Sequence, residues 1–332
     1  MDILIFGGGA IGSHLAYCLN DNKNNIYLIA RGLHLKKIIK DGLKIKIYQN
    51  EILKRNVLLK QNKKITFHSN TDLFKNKKFD FIFITVKLKD FNKKLINKLN
   101  KNIDKNTAIV PPCTELPDWW FSKILGSKKN NLKKYQNQNF FLRYKKNIIG
   151  MTMWLSAIMK RPGLIKVNHI QRGYPLKEID NKMKIKANIL RSIINKKCTS
   201  PKVQNIYSEI YIKVINSFAF NLIALKTEFN NYQIKKSQKT VLSIRMIMME
   251  FENIVSKLGL PVYQSINSRI KQTLSSEKHT MSMLTDFKNK KKIELKFSFQ
   301  KLFLLSKLSG LKIDYSKKMY NLTLKKIYDK KK

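Results

Sequence analysis

The chain has 332 residues, of which 43% are hydrophobic and 10% aromatic, and it carries a formal net charge of +46. This length and hydrophobic content exclude a disordered chain and favour two domains over one. The lysines are spread evenly and form no arginine-rich block or basic arm, so no specific nucleic-acid partner is predicted. The charge favours nonspecific adhesion to polyanions and attraction of small anionic substrates.

The cysteines and the N-terminus predict the compartment. Cys18, Cys113 and Cys198 show neither metal-ligand spacing nor a disulfide framework, so no metal site is predicted and a reducing, cytoplasmic location is expected. The sequence opens directly into a strand pattern, which argues against a signal peptide. No apolar run of membrane-spanning length stands out, so no membrane partner is expected.

The first 31 residues predict a strand, a turn, a helix and a second strand. The apolar run Ile3 to Phe6 precedes Gly7-x-Gly9-x-x-Gly12, a fingerprint of dinucleotide-binding folds. Gly7 permits the tight turn, Gly9 lets backbone N–H groups approach a pyrophosphate, and Gly12 allows close packing of helix on strand. The pyrophosphate then lies at the helix N-terminus, and the predicted cofactor contacts also include two residues between the glycines, Ala10 and Ile11.

Arg31 follows the second strand, Ile26 to Ala30, at the place that selects between NAD and NADP. An acidic residue there holds the ribose 2′-OH of NAD, whereas an arginine suits the 2′-phosphate of NADP. The sequence has no carboxylate between Ile26 and His34, so NADPH/NADP is the predicted cofactor. In a chain with 67 lysines and arginines, a basic surface residue with no ligand is the alternative.

The remaining elements of the first domain follow from apolar periodicity. The predicted elements are a helix at His34 to Asp41, strands at Leu43 to Tyr48, Phe79 to Val86 and Thr107 to Val110, an edge strand at Ile65 to His68, a hairpin of the strands Ile148 to Ile158 and Leu164 to His169 joined by Arg161-Pro162-Gly163, and a helix at Lys182 to Asn195. Lys87 ends the most apolar strand, at the edge where such sheets bind ligands, and is predicted to contact the cofactor.

The run from Pro111 to Phe121 is predicted to be a shaped loop, because proline continues neither a central strand nor a helix. Its Trp119 and Trp120 either cover the edge of the core or line a substrate pocket. Residues 123–146 are rich in Lys and Asn and are interpreted as an insertion.

The pattern changes to a period of 3.6 residues in the C-terminal part. We predict an NADP-binding domain at 1–203 and a helical substrate domain at 204–332. The predicted helices are Ser208 to Lys226, Thr240 to Leu258, His279 to Asn289 and Glu294 to Ser309, with stops at Gly259-Leu260-Pro261 and Gly310.

Three polar residues, Lys213, Ser217 and Asn221, are spaced four apart in the apolar segment Ser208 to Leu225 and therefore share one helix face. Buried polar groups need partners, and a ligand in an interdomain cleft is one such partner. Solvent or the other domain is the alternative.

These motifs together resemble the ketopantoate reductase (2-dehydropantoate 2-reductase) family. The resemblance runs in order from residue 1 to about 310. It rests on the glycine fingerprint, Ala30-Arg31-Gly32-x-His34-Leu35, Val86-Lys87, Pro162-Gly163, Lys213…Asn221 and His279-Thr280-Met281-Ser282…Glu294.

The resemblance implies a Rossmann-type domain followed by an all-helical domain like that of 6-phosphogluconate dehydrogenase. It also implies NADPH-dependent reduction of ketopantoate to pantoate on the route to coenzyme A. Lys213 matches the family's catalytic lysine and Glu294 its active-site carboxylate. Asn221 and Ser282 match residues that contact the substrate, and Ser217 stands where many members have an asparagine.

One departure from the family concerns the substrate. Where members usually carry Gln-Asn-Gly, this chain has Pro112-Cys113-Thr114. Another 2-oxo acid is therefore an alternative substrate, and a nonenzymatic dinucleotide- or polyanion-binding protein is an alternative of a different class. The sequence leaves the oligomeric state open, with a homodimer among the assemblies considered.

Overall fold

The structure, a computed structural model, describes residues 1–49, 51–87, 91–125 and 138–329. It divides into two compact units, the first comprising Met1–Cys113 and Pro117–Glu209 and the second Thr114–Leu116 and Ile210–Lys332. The first unit has an α/β architecture and the second is helical, which confirms the predicted fold class. The middle of the predicted insertion, residues 126–137, lies outside the described residues.

The strands of the described residues all belong to the first unit. In chain order they are β1 (Asp2–Phe6), β2 (Asn25–Ile29), β3 (Leu43–Gln49), β4 (Ile52–Leu59), β5 (Ile65–His68), β6 (Phe81–Ile84), β7 (Ala108–Val110), β8 (Pro112–Cys113), β9 (Ile149–Thr152), β10 (Trp154–Arg161), β11 (Leu164–Gly173) and β12 (Leu176–Glu178).

A parallel sheet with the order β5-β2-β1-β6-β7 forms the centre of the first unit. All four residues of β6 are buried, as its continuous apolar sequence predicts for a strand covered on both faces. The segment Ile65–His68 is β5, one of the two edge strands of this sheet, as expected. The described helices of this unit are α1 (Ala10–Leu19), α2 (Gly32–Asp41), α3 (Lys93–Asn100), α4 (Asp118–Leu125), α5 (Gln138–Arg143) and α6 (Lys184–Asn195).

Two smaller sheets complete the first unit. One has the order β10-β11-β3-β4 and contains the predicted hairpin turn, with Gly163 at a φ of +81°. The first predicted strand of that hairpin, Ile148 to Ile158, is divided, because Ile149–Thr152 forms β9 of the third sheet. Strand β3 pairs in parallel with β11, more than 100 residues away in the chain. The other sheet has the order β12-β9-β8.

The proline-rich run differs from its prediction as a loop. Pro112 lies in β8 at the edge of its sheet, where a missing N–H donor is tolerated, and Pro117 directly precedes helix α4. Trp119 and Trp120 in α4 are 0% exposed, and Trp120 Nε1 donates a hydrogen bond to the Tyr207 carbonyl at 2.8 Å. Both tryptophans therefore belong to the core.

The second unit consists of helices. They are α7 (Ile206–Thr227, which begins in the first unit), α8 (Asn231–Lys236), α9 (Gln238–Lys257), α10 (Ile266–Leu274), α11 (Ser282–Lys288), α12 (Leu295–Ser309) and α13 (Asp314–Asp329). Gly310 ends α12 in the left-handed conformation, at a φ of +68°, as predicted. Helices α8, α10 and α13 were missed by the periodicity, because α8 and α10 are short and α13 is mostly polar.

Helix α7 is the central element of the second unit. Its Phe218 packs edge-on against Phe251 and face-on against Phe299, and Phe299 stacks on Tyr320 at 3.8 Å between ring centroids. Among the described residues, α7 is the one helix long and apolar enough to cross a membrane by length and composition. However, 89% of its apolar window is buried inside the protein, as expected of a core helix.

The segment Thr114–Leu116 belongs to the second unit although it is far from the rest of that unit in sequence. Two buried side chains of α12 hold it: Ser298 Oγ donates to Glu115 Oε1 at 2.8 Å, and Lys301 Nζ donates to the Leu116 carbonyl at 2.6 Å. Glu115 is itself buried. These bonds fix the segment against α12.

Candidate cofactor and catalytic sites

The glycine fingerprint lies at the carboxyl end of β1, between β2 and β6. The chain order of the parallel sheet reverses there, since β2 and β5 lie on one side of β1 and β6 and β7 on the other. Open α/β sheets bind their ligands at such a reversal, outside the carboxyl ends of the strands. The topology therefore places the fingerprint, Arg31 and Lys87 at one edge of the sheet, after three adjacent strands.

The three glycines of the fingerprint differ in the space that a side chain would have at each position. Gly7 has a φ of +125°, and a Cβ there would lie 2.8 Å from the Val86 nitrogen. A Cβ at Gly12 would lie 2.0 Å from the Gly7 carbonyl oxygen, so helix and turn pack too closely for any side chain. Gly9 differs, because a Cβ there meets nothing within 4 Å. The absence of a side chain at Gly9 thus leaves open space instead of relieving a clash.

Thr85, which the sequence reasoning missed, holds the turn of the fingerprint. Its Oγ1 donates to the Gly7 carbonyl oxygen at 2.6 Å and lies 2.7 Å from the position of a Cβ on Gly12. A hydroxyl residue directly after β6, the strand beside β1, is the signal that could have identified it.

The fit of a dinucleotide rests on the open space at Gly9. Gly9 is the N-cap of α1 and has no side-chain capping bond, so the first N–H groups of the helix, from Ala10 and Ile11, lack a capping side chain. Free amides and the helix dipole at this end favour an anion. The residues present therefore fit a pyrophosphate, which Gly9, Ala10 and Ile11 would hold through their backbone.

Arg31 and Lys87 supply exposed positive charge at the same edge. Arg31 is the N-cap residue of α2 and lies two residues beyond the end of β2. The buried His34 anchors this helix, because its Nδ1 accepts a hydrogen bond from the Gly163 N–H at 3.0 Å. Lys87 lies three residues beyond β6. The roles of both residues towards a cofactor stay predictions.

Lys213, in the second unit, has a pKa shifted into the range that suits proton transfer near physiological pH. It lies on α7 and is only partly exposed, and desolvation by the surrounding protein lowers its pKa from 10.5 to about 8. Burial also lowers the pKa of His279, and the positive charge of Lys213 lowers it further. An ammonium near its pKa at physiological pH can both stabilise an oxyanion and give up a proton.

Ser217 and Asn221 continue the polar face of α7 beyond Lys213. The Asn221 amide donates to the Ser217 carbonyl at 2.8 Å and to Ser217 Oγ at 3.2 Å. Its Oδ1 accepts from the Met283 N–H at 2.9 Å, which joins α7 to the first turn of α11. Ser282, the exposed first residue of α11, is thereby brought near Asn221. Asn221 is fully buried, so its established bonds are structural, and its predicted substrate contact stays a prediction.

Glu294 directly precedes α12 and is partly exposed. Its carbonyl oxygen accepts the hydrogen bond of the Ser298 N–H at 3.0 Å. The structure thus places Glu294 one turn before the residue that binds Glu115. Its predicted catalytic role is not tested by this position.

Comparison with known proteins identifies the chain's relatives. Residues 3–112 match the sequence profile described as ketopantoate reductase PanE/ApbA, and residues 205–326 match the profile of its C-terminal part. No curated protein sequence matches the chain significantly.

Several solved structures have a similar fold. A D-mandelate dehydrogenase in a ternary structure with NADH and anilino(oxo)acetate is 18% identical over 99% of both chains, with a TM-score of 0.77. A PanE/ApbA family ketopantoate reductase from Ralstonia eutropha JMP134 is 16% identical over 99% of both chains, with a TM-score of 0.75. A 2-dehydropantoate 2-reductase from Geobacter metallireducens GS-15 is 14% identical over 98% of this chain and 99% of the other, with a TM-score of 0.76. At these identities the likeness establishes the fold.

Proposed function

Because the chain belongs to the ketopantoate reductase family and is a nicotinamide-dependent oxidoreductase, we propose that it reduces ketopantoate to pantoate with NADPH. This reaction would serve pantothenate and coenzyme A synthesis in the cytoplasm. The proposal includes domain bounds of 1–203 and 204–332. It leaves open whether the chain acts as a homodimer.

The observation that carries the proposal is Lys213, with its pKa of about 8 on a buried helix. Bound NADPH supplies a hydride to carbon 2 of the 2-oxo acid. The Lys213 ammonium donates a hydrogen bond to the ketone oxygen, and its Nζ releases a proton to that oxygen as it becomes an alkoxide. The resulting amine regains its proton from solvent. In this proposal, Ser217, Asn221 and Ser282 bind the substrate, and Glu294 acts beside Lys213.

The choice of NADPH over NADH rests on Arg31. The guanidinium follows β2 at the edge where the ribose of a bound dinucleotide is held in this fold. Arginine pairs well with phosphate through parallel N–H donors, which suits a 2′-phosphate. Lys87, three residues beyond β6, adds positive charge for the remaining phosphates.

A second candidate substrate is a 2-oxo acid other than ketopantoate. The favouring observation is the segment Pro112-Cys113-Thr114, which offers no amide where the family usually has Gln-Asn-Gly. The Cys113 thiol is fully buried and donates to the Pro111 carbonyl at 2.9 Å. This segment therefore cannot supply the amide contact to the substrate. The loss of that contact affects the choice of substrate more than the chemical step.

The test is a substrate panel followed by NADPH absorbance, with NADH as the cofactor control. Ketopantoate and other branched or aryl 2-oxo acids are compared with wild type, Lys213→Ala and Lys239→Ala. Lys239 is exposed on α9 and serves as the matched control. Turnover by wild type and Lys239→Ala, with Lys213→Ala losing about 10²–10⁴-fold in kcat but keeping NADPH binding, supports the proposal. If wild type oxidises NADPH with none of the acids, the proposed reduction of ketopantoate or of another 2-oxo acid is refuted.

A further inference from the structure

A buried cluster of sulfur and nitrogen atoms is formed in the first unit by helix α1 and the residues after α6. His14 and Cys18 are one turn apart on α1, and Cys198 lies three residues beyond the end of α6. One ligand atom from each residue lies within 4.8 Å of the other two. The exposed fractions are 0% for His14, 1% for Cys18 and 6% for Cys198.

The imidazole of His14 is oriented by a further buried residue. Its Nδ1 is 2.8 Å from the Tyr174 hydroxyl, and Tyr174 is 0% exposed. The two rings also stack, with centroids 5.7 Å apart. When the phenol oxygen accepts a hydrogen bond from Nδ1–H, Nε2 is the nitrogen that carries the lone pair, and it is 3.7 Å from Cys18 Sγ. Metal-bound histidines show this arrangement, in which the nitrogen away from the metal is held by a second group.

The composition of the cluster suits a soft metal ion. Two thiols and an imidazole prefer Zn²⁺ or Cu⁺ among the biological cations. Bonds of about 2.3 Å to sulfur and about 2.0 Å to nitrogen place ligand atoms roughly 3.5–4 Å apart. The ligand atoms of the cluster lie within 4.8 Å of one another, so side-chain shifts of about 1 Å close the site.

A positive charge lies beside the cluster, where burial raises the pKa of the Cys18 thiol. Lys197 Nζ donates to the Tyr17 carbonyl at 3.0 Å and also to the Asn20 carbonyl, which puts a positive charge next to Cys198 in sequence and at the end of α1. With two thiolates and a neutral imidazole, bound Zn²⁺ gives a net charge of zero, and bound Cu⁺ gives a net charge of −1 beside the Lys197 ammonium. We propose that His14, Cys18 and Cys198 form a binding site for a thiophilic d¹⁰ metal ion, Zn²⁺ or Cu⁺.

Binding is an exchange of protons for metal and involves no electron transfer. Two S–H bonds break, two S–metal bonds form, His14 adds its lone pair, and two protons leave to solvent. The bound ion joins α1 to the end of α6 and so stabilises the helix that carries the fingerprint. This site is independent of the proposed reaction with the 2-oxo acid.

The experiment uses the full chain under reducing conditions. Zn²⁺ and Cu⁺ are titrated separately against chromogenic chelators, and Co²⁺ reports thiolate ligation through its sulfur-to-metal charge-transfer absorption. Wild type and Cys113→Ser are expected to bind one equivalent, because Cys113 is a buried thiol outside the cluster. Cys18→Ser and Cys198→Ser are expected to lose the charge-transfer band and at least about 100-fold in affinity, and Tyr174→Phe about 10–100-fold.

Tyr174→Phe removes one hydroxyl and keeps the ring, so it tests the site even if a cysteine variant fails to fold. The titration in which the protein competes better with the chelator identifies the preferred ion, Zn²⁺ or Cu⁺. Failure of wild type to bind either ion, or affinity unchanged in Cys18→Ser, Cys198→Ser and Tyr174→Phe, overturns the proposal. Equal loss of the charge-transfer band in the control variant Cys113→Ser also overturns the proposal.

Discussion

Replacement of Lys213 by methionine should remove turnover and yet make the protein more stable. Methionine keeps the length of the side chain and removes the charge. The fall of the Lys213 pKa from 10.5 to about 8 means that the folded state disfavours the ammonium. At roughly 1.4 kcal/mol per pKa unit the penalty is about 3 kcal/mol at pH 7, and partial exposure reduces it to about 1–2 kcal/mol.

The pH dependence of this stability difference follows from the direction of the shift. At pH 7 the folded and unfolded states both carry the ammonium, so the whole penalty acts. Between about pH 8 and 10.5 the folded state loses its proton first, so the penalty declines, and above that range neither state is charged. Urea unfolding of wild type and Lys213→Met at pH 7 and pH 9.5 measures this change, with Lys239→Met as the exposed control. A variant no more stable than wild type at pH 7, or an advantage that does not shrink at pH 9.5, would refute the reasoning.

Three further predictions concern the reaction and the cofactor. The kcat/KM for reduction should be constant below about pH 8 and fall about tenfold per pH unit above it, since Lys213 must be protonated; a profile flat to pH 10 contradicts this role. Arg31→Asp should raise the KM for NADPH at least about tenfold and leave that for NADH unchanged or lower, as steady-state kinetics with both cofactors would show. Gly12→Ala should lower the free energy of unfolding by about 1–3 kcal/mol, because its Cβ would lie 2.0 Å from the Gly7 carbonyl oxygen. Gly9→Ala should instead weaken dinucleotide binding and leave the free energy of unfolding unchanged. Equal loss of stability in the two variants would contradict the assigned roles.

The parts of the fold predicted from sequence are those encoded by neighbouring residues. The fingerprint, the five strands of the parallel sheet and the hairpin at Gly163 each combine a local apolar pattern with a local turn signal. The pairing of β3 with β11 was not predictable in this way, because the two strands are distant in the chain. Pro112 and Pro117 misled the prediction, since an edge strand and a helix start both tolerate proline.

The candidate site shows the same division. The spacing of Lys213, Ser217 and Asn221 predicted that they share one helix face. Only the structure shows that Asn221 Oδ1 accepts a hydrogen bond from the Met283 N–H. Thr85 was missed because its role depends on two strands that are adjacent only in the folded sheet. The approach of Cys198 to Cys18 was likewise invisible in the spacing of the cysteines, which had argued against a metal site.

The contacts of Glu115 and Leu116 with α12 make the second unit discontinuous in sequence. A recombinant fragment that starts at Ile210 lacks the carboxylate that accepts from Ser298 and the carbonyl that accepts from Lys301, although both donors are buried. Loss of hydrogen bonds to buried donors typically destabilises a protein by about 1–3 kcal/mol each. Domain exchange with a relative would therefore have to transfer the short segment Thr114–Leu116 together with residues 210–332, so recombination at a single point cannot separate the two units intact.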